Sequence, residues 1–84
     1  MIASQSPNHV FSLQPHKEII SLRERQEHIG VLRNVEKSEG MTLLEFDDCY
    51  VCFYRDLDIE KYIGKNIGVL RINIEGREVV VREE

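Results

Sequence analysis

Long apolar runs are absent from this chain of 84 residues. No segment approaches the roughly 20 consecutive apolar residues that a membrane-spanning helix needs. Residues 1–7 have neither a basic start nor an apolar stretch, so the sequence predicts no secretory signal and a cytoplasmic protein. The length fits one domain, and hydrophobic residues at 42% with charged residues at 31% are typical of soluble globular domains.

A basic excess is also absent, because 15 acidic side chains outnumber 11 lysines and arginines and leave a net charge of −4. Dedicated nucleic-acid binders usually carry the opposite balance, since phosphate contacts supply most of their affinity. The composition therefore argues against nucleic-acid binding over the whole surface. A local basic patch on an acidic body stays open, because steering depends on the nearby field.

Motifs for catalysis are missing. The sequence shows no Ser-His-Asp or Cys-His pattern and no glycine-rich phosphate loop. Asp47 and Asp48 are adjacent, so on a turn their carboxylates should diverge and not flank a substrate. His28 has no partner that the sequence reveals, and a lone histidine on a strand is usually a surface or edge residue. We therefore expect no enzymatic activity and no cofactor.

Cysteine is scarce, and the two that occur, Cys49 and Cys52, have the C-x-x-C spacing. A zinc site of this type needs a turn between the cysteines and a second pair of ligands. Tyr50 and Val51 instead place the pair in a β-type run, where residues three apart point to opposite faces. We therefore expect the two thiols to diverge and to bind no metal.

The features that are present are mostly runs typical of β-strands. In chain order the pattern predicts strands at His28–Glu36, Met41–Phe46 and Cys49–Arg55, a short helix at Asp58–Ile63, and strands at Ile67–Ile74 and Glu78–Arg82. The more apolar strand faces predict a core that includes Val51, Phe53, Leu70 and Ile72.

Turn and cap residues separate these elements. The predicted turns are Ser38-Glu39-Gly40, Asp47-Asp48 and Glu75-Gly76. Asp56 or Asp58 is suited to cap the helix, and Gly64 to end it. Gly30 interrupts the first strand, where glycine often marks a bulge or a sharp bend. In a small barrel the first strand must bend strongly to serve both sheets.

The segment before the strands is less regular. Residues 1–14 are mostly polar and predict a flexible tail, because they cannot bury enough surface to offset the entropy of ordering. Alternatively, Val10-Phe11-x-Leu13 docks on a partner or on the domain itself. Residues 15–27 form a lead-in to the domain at 15–84. We favour a short helix or irregular structure there, although Ile19-Ile20 also fits a strand.

This layout resembles the OB-fold, the five-stranded Greek-key barrel with a helix between its third and fourth strands. The resemblance depends on Ile29-Gly30-Val31-Leu32, on the acidic hairpin Leu44-Glu45-Phe46-Asp47-Asp48, and on Gly64-Lys65-Asn66-Ile67-Gly68-Val69. Replication-protein-A-like single-strand binders are the group that the chain is most similar to. The resemblance implies a mainly β, small five-stranded OB-like barrel with a short helix between strands 3 and 4.

The Sm-like barrel is the second resemblance. A lead-in helix followed by five strands describes it, and Gly30-Val31-Leu32 and Met41-Thr42-Leu43-Leu44 are similar to its first motif. The family's Asp and Asn at the RNA pocket are missing, because Thr42 stands where Asn is expected. The helical run at Asp58–Ile63 also has no place in that fold. The OB-fold is therefore the preferred interpretation.

In OB domains, ligands usually lie across strands two and three. On that basis Tyr50 and Tyr54 form a candidate stacking platform for single-stranded DNA or RNA, with Arg33, Arg55 and Arg71 as candidate phosphate contacts. The alternative is that both tyrosines are cross-strand partners, or are covered by the N-terminal segment.

Two hypotheses for the function follow. The first is a non-catalytic domain that binds single-stranded nucleic acid weakly through an aromatic strand face. The second is a protein-interaction or assembly module that recruits a protein partner through its surface or its tail. The fold resemblance favours the first, and the acidic balance favours the second. The sequence predicts no membrane partner, and it leaves the oligomeric state open.

Overall fold

The structure is a computed structural model that describes residues 13–14, 16–74 and 77–84. Strands dominate this part of the chain, so the predicted mainly β fold class is confirmed. The strands are β1 (Glu18–Ile20), β2 (Glu27–Val31), β3 (Asn34–Ser38), β4 (Met41–Glu45), β5 (Cys49–Phe53), β6 (Asn66–Ile74) and β7 (Arg77–Glu83). No helix within these ranges is long and apolar enough to cross a membrane.

The predicted first strand is present, but it breaks into two strands that belong to different sheets. β2 pairs antiparallel with β6, and β3 pairs antiparallel with β4. Gly30 stays in register with Ile67, and the chain changes sheet two residues later. There the Leu32 N–H donates to the Lys65 carbonyl and the Arg33 N–H donates to the Glu45 carbonyl. Strands that switch sheets form the corners of packed sheets, so the predicted bend is confirmed.

Hydrogen bonds arrange the seven strands in two sheets. One sheet has the order β1-β5-β4-β3, and the other has the order β2-β6-β7. β1 runs parallel to β5, and the other pairs are antiparallel. In the described part of the chain, this pairing does not close the sheets into one hydrogen-bonded barrel.

One main apolar core is built from residues of both sheets. Its buried members are Leu22, Leu32, Leu44, Phe46, Cys49, Val51, Phe53, Ile59, Ile67 and Val69. Val51 and Phe53 are therefore buried, as predicted. Leu32 at the bend between β2 and β3, the β4–β5 hairpin and β6 all contribute, so the core depends on contacts between segments that are far apart in the chain.

The predicted core face of β6 is wrong. Ile67 and Val69 are fully buried, whereas Leu70 and Ile72 are only half-buried. Since side chains alternate along a strand, Leu70 and Ile72 lie on the face opposite to Val69. β6 is apolar on both faces, so its period-two pattern does not identify the inward one, and a shift of one residue exchanges the faces.

The lead-in segment contains a strand, so the alternative strand at Ile19-Ile20 is confirmed. The predicted short helix is not formed in its described residues, and residues 21–26 are irregular, as the favoured interpretation also allowed. Glu18 lies opposite Cys49, and Ile20 lies opposite Val51. Ile20 packs against the main core, whereas Ile19 is exposed. Adjacent β-branched side chains suit a strand, but the partner β5 lies far along the chain and local periodicity does not reveal it.

A single 3-10 turn, η1 (Glu60–Tyr62), lies within the range predicted as a helix. No side chain caps this turn, so the predicted capping by Asp56 or Asp58 is wrong. Asp56 instead forms an ion pair with Lys37 at 3.3 Å. Gly64 follows with φ of +91°, a conformation that favours glycine, and the predicted end of the element is confirmed.

The hairpin turn between β3 and β4 is formed as predicted. Glu39 and Gly40 have φ of +51° and +81°, which matches a two-residue hairpin loop. At the next turn, the Phe46 N–H donates to the Cys49 carbonyl at 2.9 Å. The predicted tail at 1–14, apart from its last two residues, and the predicted turn at 75–76 lie outside the described residues.

Candidate nucleic-acid interface

The predicted platform of two exposed tyrosines is not formed, because only 1% of Tyr50 is exposed. The lead-in segment covers its ring. The Lys17 ammonium lies 5.2 Å from the ring centroid, and the Gln14 N–H donates to the tyrosine hydroxyl at 2.8 Å. The Lys17 ammonium also forms an ion pair with the Glu45 carboxylate, with Nζ 2.7 Å from Oε2, which fixes its position. The prediction of exposure is therefore wrong for Tyr50, and the alternative of an N-terminal cover is confirmed for this ring.

Tyr54 is the first residue beyond β5, and 76% of it is exposed. The segment that carries it is anchored from β4. The buried Thr42 hydroxyl donates to the Arg55 carbonyl at 2.8 Å and accepts from the Leu57 N–H at 3.0 Å. These two bonds fix the backbone where β5 ends. An exposed aromatic ring on a fixed backbone is suited to stacking on a base.

Tyr54 and Arg55 line a narrow cleft of about 50 Å³ together with Arg71 and Glu78. Arg55 pairs with Glu78 at 3.1 Å. Arg71 Nη1 donates to the Leu22 carbonyl at 2.8 Å, which uses one of the five N–H donors of the guanidinium. The structure therefore brings together three of the five predicted residues, although they come from different sheets.

Arginines of the lead-in segment continue this surface, and the sequence interpretation missed them. A depression of about 380 Å³ is lined by Arg23 and Glu24 together with Arg71 and Glu78 of the cleft. A second depression, of about 530 Å³, is lined by residues 20–21 and 23–26. The first depression shares Arg71 and Glu78 with the cleft, and it shares Arg23 and Glu24 with the second depression. The cleft and the two depressions therefore form one continuous surface, which we call the arginine surface.

A tight turn at Arg23–Gln26 shapes this surface. The Gln26 N–H donates to the Arg23 carbonyl at 2.9 Å, and the Gln26 side-chain oxygen accepts from the Arg23 N–H at 2.8 Å. Arg25 has φ of +70°, a left-handed conformation that costs a residue with a Cβ about 1–2 kcal/mol. Its N–H donates to the Arg71 carbonyl at 2.6 Å, which ties the turn to β6. Such strained residues cluster at functional sites.

Arg33 does not line the arginine surface. Its Nε and Nη2 donate to the two carboxylate oxygens of Asp47, at 2.8 and 3.1 Å. This hydrogen bonding lowers the pKa of Asp47 and raises the pKa of Arg33. Because two nitrogens of the guanidinium already donate to the Asp47 carboxylate, Arg33 is poorly placed to hold a phosphate.

Cys49 and Cys52 lie on opposite faces of β5, as predicted. Cys49 belongs to the main core, whereas Cys52 packs with Leu43 and Tyr50 in a separate cluster. Burial raises the pKa of the Cys49 thiol to about 11, with the Asp48 carboxylate adding to the shift, and burial also raises the pKa of Cys52. The thiolate is the reactive form, so neither cysteine is an activated nucleophile.

Thiol alkylation tests this protonated, buried state. In the presence of a chelator at neutral pH, we expect iodoacetamide to modify both cysteines far more slowly in the native protein than in denaturant. Mass spectrometry at successive times reports the modified fraction. Equal rates in the two states would contradict the positions of both thiols.

His28 has partners that the sequence does not reveal. Its Nε2 atom lies 3.6 Å from Cys49 Sγ and 3.6 Å from Asp48 Oδ1. The Phe46 ring packs edge-on against the imidazole, with the ring centroids 4.5 Å apart. His28, Asp48 and Cys49 together offer a nitrogen, an oxygen and a sulfur donor. Within the described residues, they are the one group of such donors close enough to hold a metal ion. They meet only because β2 and β5 pack together.

Comparison with known proteins adds no family, because this chain matches no protein-family model, no curated protein and no solved structure. The function must therefore be inferred from the arginine surface and its neighbours. The strongest sequence signal for that surface is the run Arg23-Glu24-Arg25. Its position beside Arg71 depends on the backbone bonds between the lead-in turn and β6, which no local pattern encodes.

Proposed function

We propose that this chain is a non-catalytic OB-like domain that binds single-stranded nucleic acid weakly through the arginine surface. The observation that carries the proposal is the exposed Tyr54 ring beside a cleft lined by Arg55 and Arg71. A base stacks on the Tyr54 ring, and the neighbouring phosphates lie toward Arg71 and the Arg23–Gln26 turn. Stacking with positive side chains is the usual combination in single-strand binders.

The strand arrangement supports the OB-like part of the proposal. A bent first strand is shared between two sheets, and β4 and β5 follow it as a meander. The 3-10 turn precedes β6 at the place of the OB helix, and β6 returns to pair with the first strand. β1 occupies the free edge of β5. We propose that this arrangement is an open relative of the five-stranded barrel, with β1 as an added strand.

Local charge supports an anionic ligand. The arginine surface carries Arg23, Arg25, Arg55 and Arg71 against Glu24 and Glu78, so it is positive although the whole chain has a net charge of −4. In the described residues, no carboxylate forms an ion pair with Arg23 or Arg25. These two guanidinium groups are therefore available to phosphates. The acidic remainder of the surface keeps the affinity weak and dependent on salt.

Replacing Tyr54 with alanine should weaken binding of a short single-stranded oligonucleotide by about 5–150-fold, the equivalent of 1–3 kcal/mol for one stacked base. Fluorescence anisotropy at low salt measures the affinity, and a denaturant melt checks that the exposed substitution leaves the fold intact. Arg71→Gln should weaken binding as well, whereas Arg33→Gln should change it little because Asp47 already occupies that guanidinium. Wild-type affinity in the Tyr54→Ala protein would contradict the stacking role.

The outer face of the three-stranded sheet favours a second candidate, a protein-interaction module. Leu70 pairs with Val80 across β6 and β7, and Ile72 lies on the same face as Leu70. Ile29 and Ile74, in the same sheet, are 52% and 59% exposed. An apolar sheet face of this kind suits a protein partner better than a phosphate backbone. If Ile29→Glu abolished a self-association or a partner complex and left oligonucleotide binding unchanged, this second function would be supported.

A further inference from the structure

We propose that His28, Asp48 and Cys49 form a zinc-binding site that links the two sheets. The site is separate from the arginine surface, and no residue is shared between them. Its three donors are an imidazole nitrogen, a carboxylate oxygen and a thiolate sulfur, which are the ligand types that Zn²⁺ takes in proteins.

The two donor distances that involve His28 are close to those around one tetrahedral ion, and all three donor atoms lie within 4.8 Å of one another. Zn–N bonds of about 2.0–2.1 Å and Zn–S bonds of about 2.3 Å place the two donor atoms roughly 3.6 Å apart at the tetrahedral angle. His28 Nε2 and Cys49 Sγ are 3.6 Å apart. A carboxylate ligand requires a nitrogen-to-oxygen separation of roughly 3.3 Å, and His28 Nε2 to Asp48 Oδ1 is 3.6 Å. Small side-chain movements therefore suffice to bind the ion.

The surroundings orient the donors and leave a path for the ion. The Phe46 ring holds the imidazole at a fixed angle, with an interplanar angle of 62°. Cys49 is buried at the start of β5, which fixes its sulfur. The Asp48 side chain is 73% exposed, so an ion reaches the site from solvent on that side. Three protein ligands leave a fourth position for water or for an external ligand.

Nearby charges favour a cation at this position. Asp48 is negative, and Glu18, opposite Cys49 in the β1–β5 pairing, adds a second carboxylate near the thiol. The positive charge of Lys17 also acts on the thiol and opposes a cation there. However, its ammonium donates to the Glu45 carboxylate at 2.7 Å and to the Phe46 carbonyl at 2.8 Å, and the Glu45 carboxylate offsets its charge. Binding of Zn²⁺ replaces the thiol proton, and that proton goes to solvent.

Because His28 belongs to one sheet and Asp48 and Cys49 belong to the other, a bound ion acts as a crosslink between them. Zn²⁺ binds the folded chain and not the unfolded one at this site, so it raises the melting temperature by mass action. Cys52 points to the opposite face and plays no part. The proposal therefore departs from the expectation that neither thiol binds metal, because Cys49 gains His28 and Asp48 as partners and not Cys52. Because His28 is 20 residues from Asp48 in the sequence, a search for metal ligands at short spacing does not find the site.

The test is a titration of the chelator-treated full chain with Zn²⁺ by calorimetry, followed by a Co²⁺ titration that reports a thiolate ligand through its charge-transfer absorption. We expect one ion per chain, a thiolate-to-cobalt band, and a higher melting temperature with Zn²⁺. Changes to groups that only orient a ligand already cost about 10–100-fold in metal affinity, so Asp48→Asn, His28→Gln and Cys49→Ala should each cost at least that much.

Matched controls separate a site from general effects. Asp47→Asn removes the neighbouring carboxylate, His16→Gln removes an exposed histidine, and Cys52→Ala removes the other buried thiol. All three should bind Zn²⁺ as the wild type does. Since Asp48 is exposed, Asp48→Asn should fold normally even if Cys49→Ala does not. Absence of stoichiometric binding, a cobalt spectrum without the thiolate band, or wild-type affinity in Asp48→Asn would each overturn the proposal.

Discussion

Truncating Phe46 to alanine should lower the free energy of unfolding by about 3–5 kcal/mol. Phe46 is fully buried and lies immediately after β4, in the four-stranded sheet, while its ring contacts His28 of β2 in the other sheet. A Cβ atom at Gly30 would lie only 3.2 Å from Phe46 Cδ1, which shows how closely the ring approaches β2. The alanine side chain would leave a cavity where the sheets meet.

A domain of this length has a total stability on the order of 5–10 kcal/mol, so the Phe46→Ala protein should be close to unfolding at room temperature. Urea denaturation followed by circular dichroism measures the change. Tyr54→Ala is the matched control, because it also removes an aromatic ring, but from an exposed position, and should change stability by less than about 0.5 kcal/mol. Similar losses in the two variants would contradict the core assignment.

Thr42→Val should cost on the order of 2–3 kcal/mol, although valine has nearly the same shape as threonine. The Thr42 hydroxyl is fully buried and makes two hydrogen bonds, to the Arg55 carbonyl and from the Leu57 N–H. Valine leaves both backbone groups without this partner, and each unpaired buried group costs about 1–3 kcal/mol.

The same two bonds hold the segment that carries Tyr54, so Thr42→Val should also loosen the backbone of that segment. Thr42→Ser keeps the hydroxyl and should retain most of the stability, so it is the matched control. Thermal unfolding of the three proteins measures the difference. If Thr42→Ser were as unstable as Thr42→Val, the missing methyl group and not the hydroxyl would account for the loss.

The alternation of side chains and the turn residues predict most of the strands, because both are local properties of the sequence. Met41–Phe46 and Cys49–Arg55 correspond closely to β4 and β5, and His28–Glu36 corresponds to β2 with β3. β1 is only the second choice from the sequence, because it consists of three residues whose partner is distant in the chain. The inward face of β6 was wrong because Ile67, Val69, Leu70 and Ile72 make both of its faces apolar.

The candidate sites were less predictable, since each depends on contacts between distant segments. Tyr50 and Tyr54 are equivalent in the alternation of β5, but the lead-in segment covers only Tyr50. Arg33 and Arg71 look alike in sequence, and only the structure shows that Arg33 is bonded to Asp47. His28 meets Cys49 through the packing of two sheets, so the sequence suggests no partner for it.

The most direct test of the proposed function is a nuclear magnetic resonance titration of the labelled full chain with a short single-stranded oligonucleotide at low salt. Saturable shifts of backbone amides should concentrate in the Arg23–Gln26 turn, in Tyr54 and Arg55, and around Arg71, and should weaken as salt is added. The absence of saturable shifts with micromolar protein, or shifts confined to the outer face around Ile29 and Val80, would contradict nucleic-acid binding by the arginine surface.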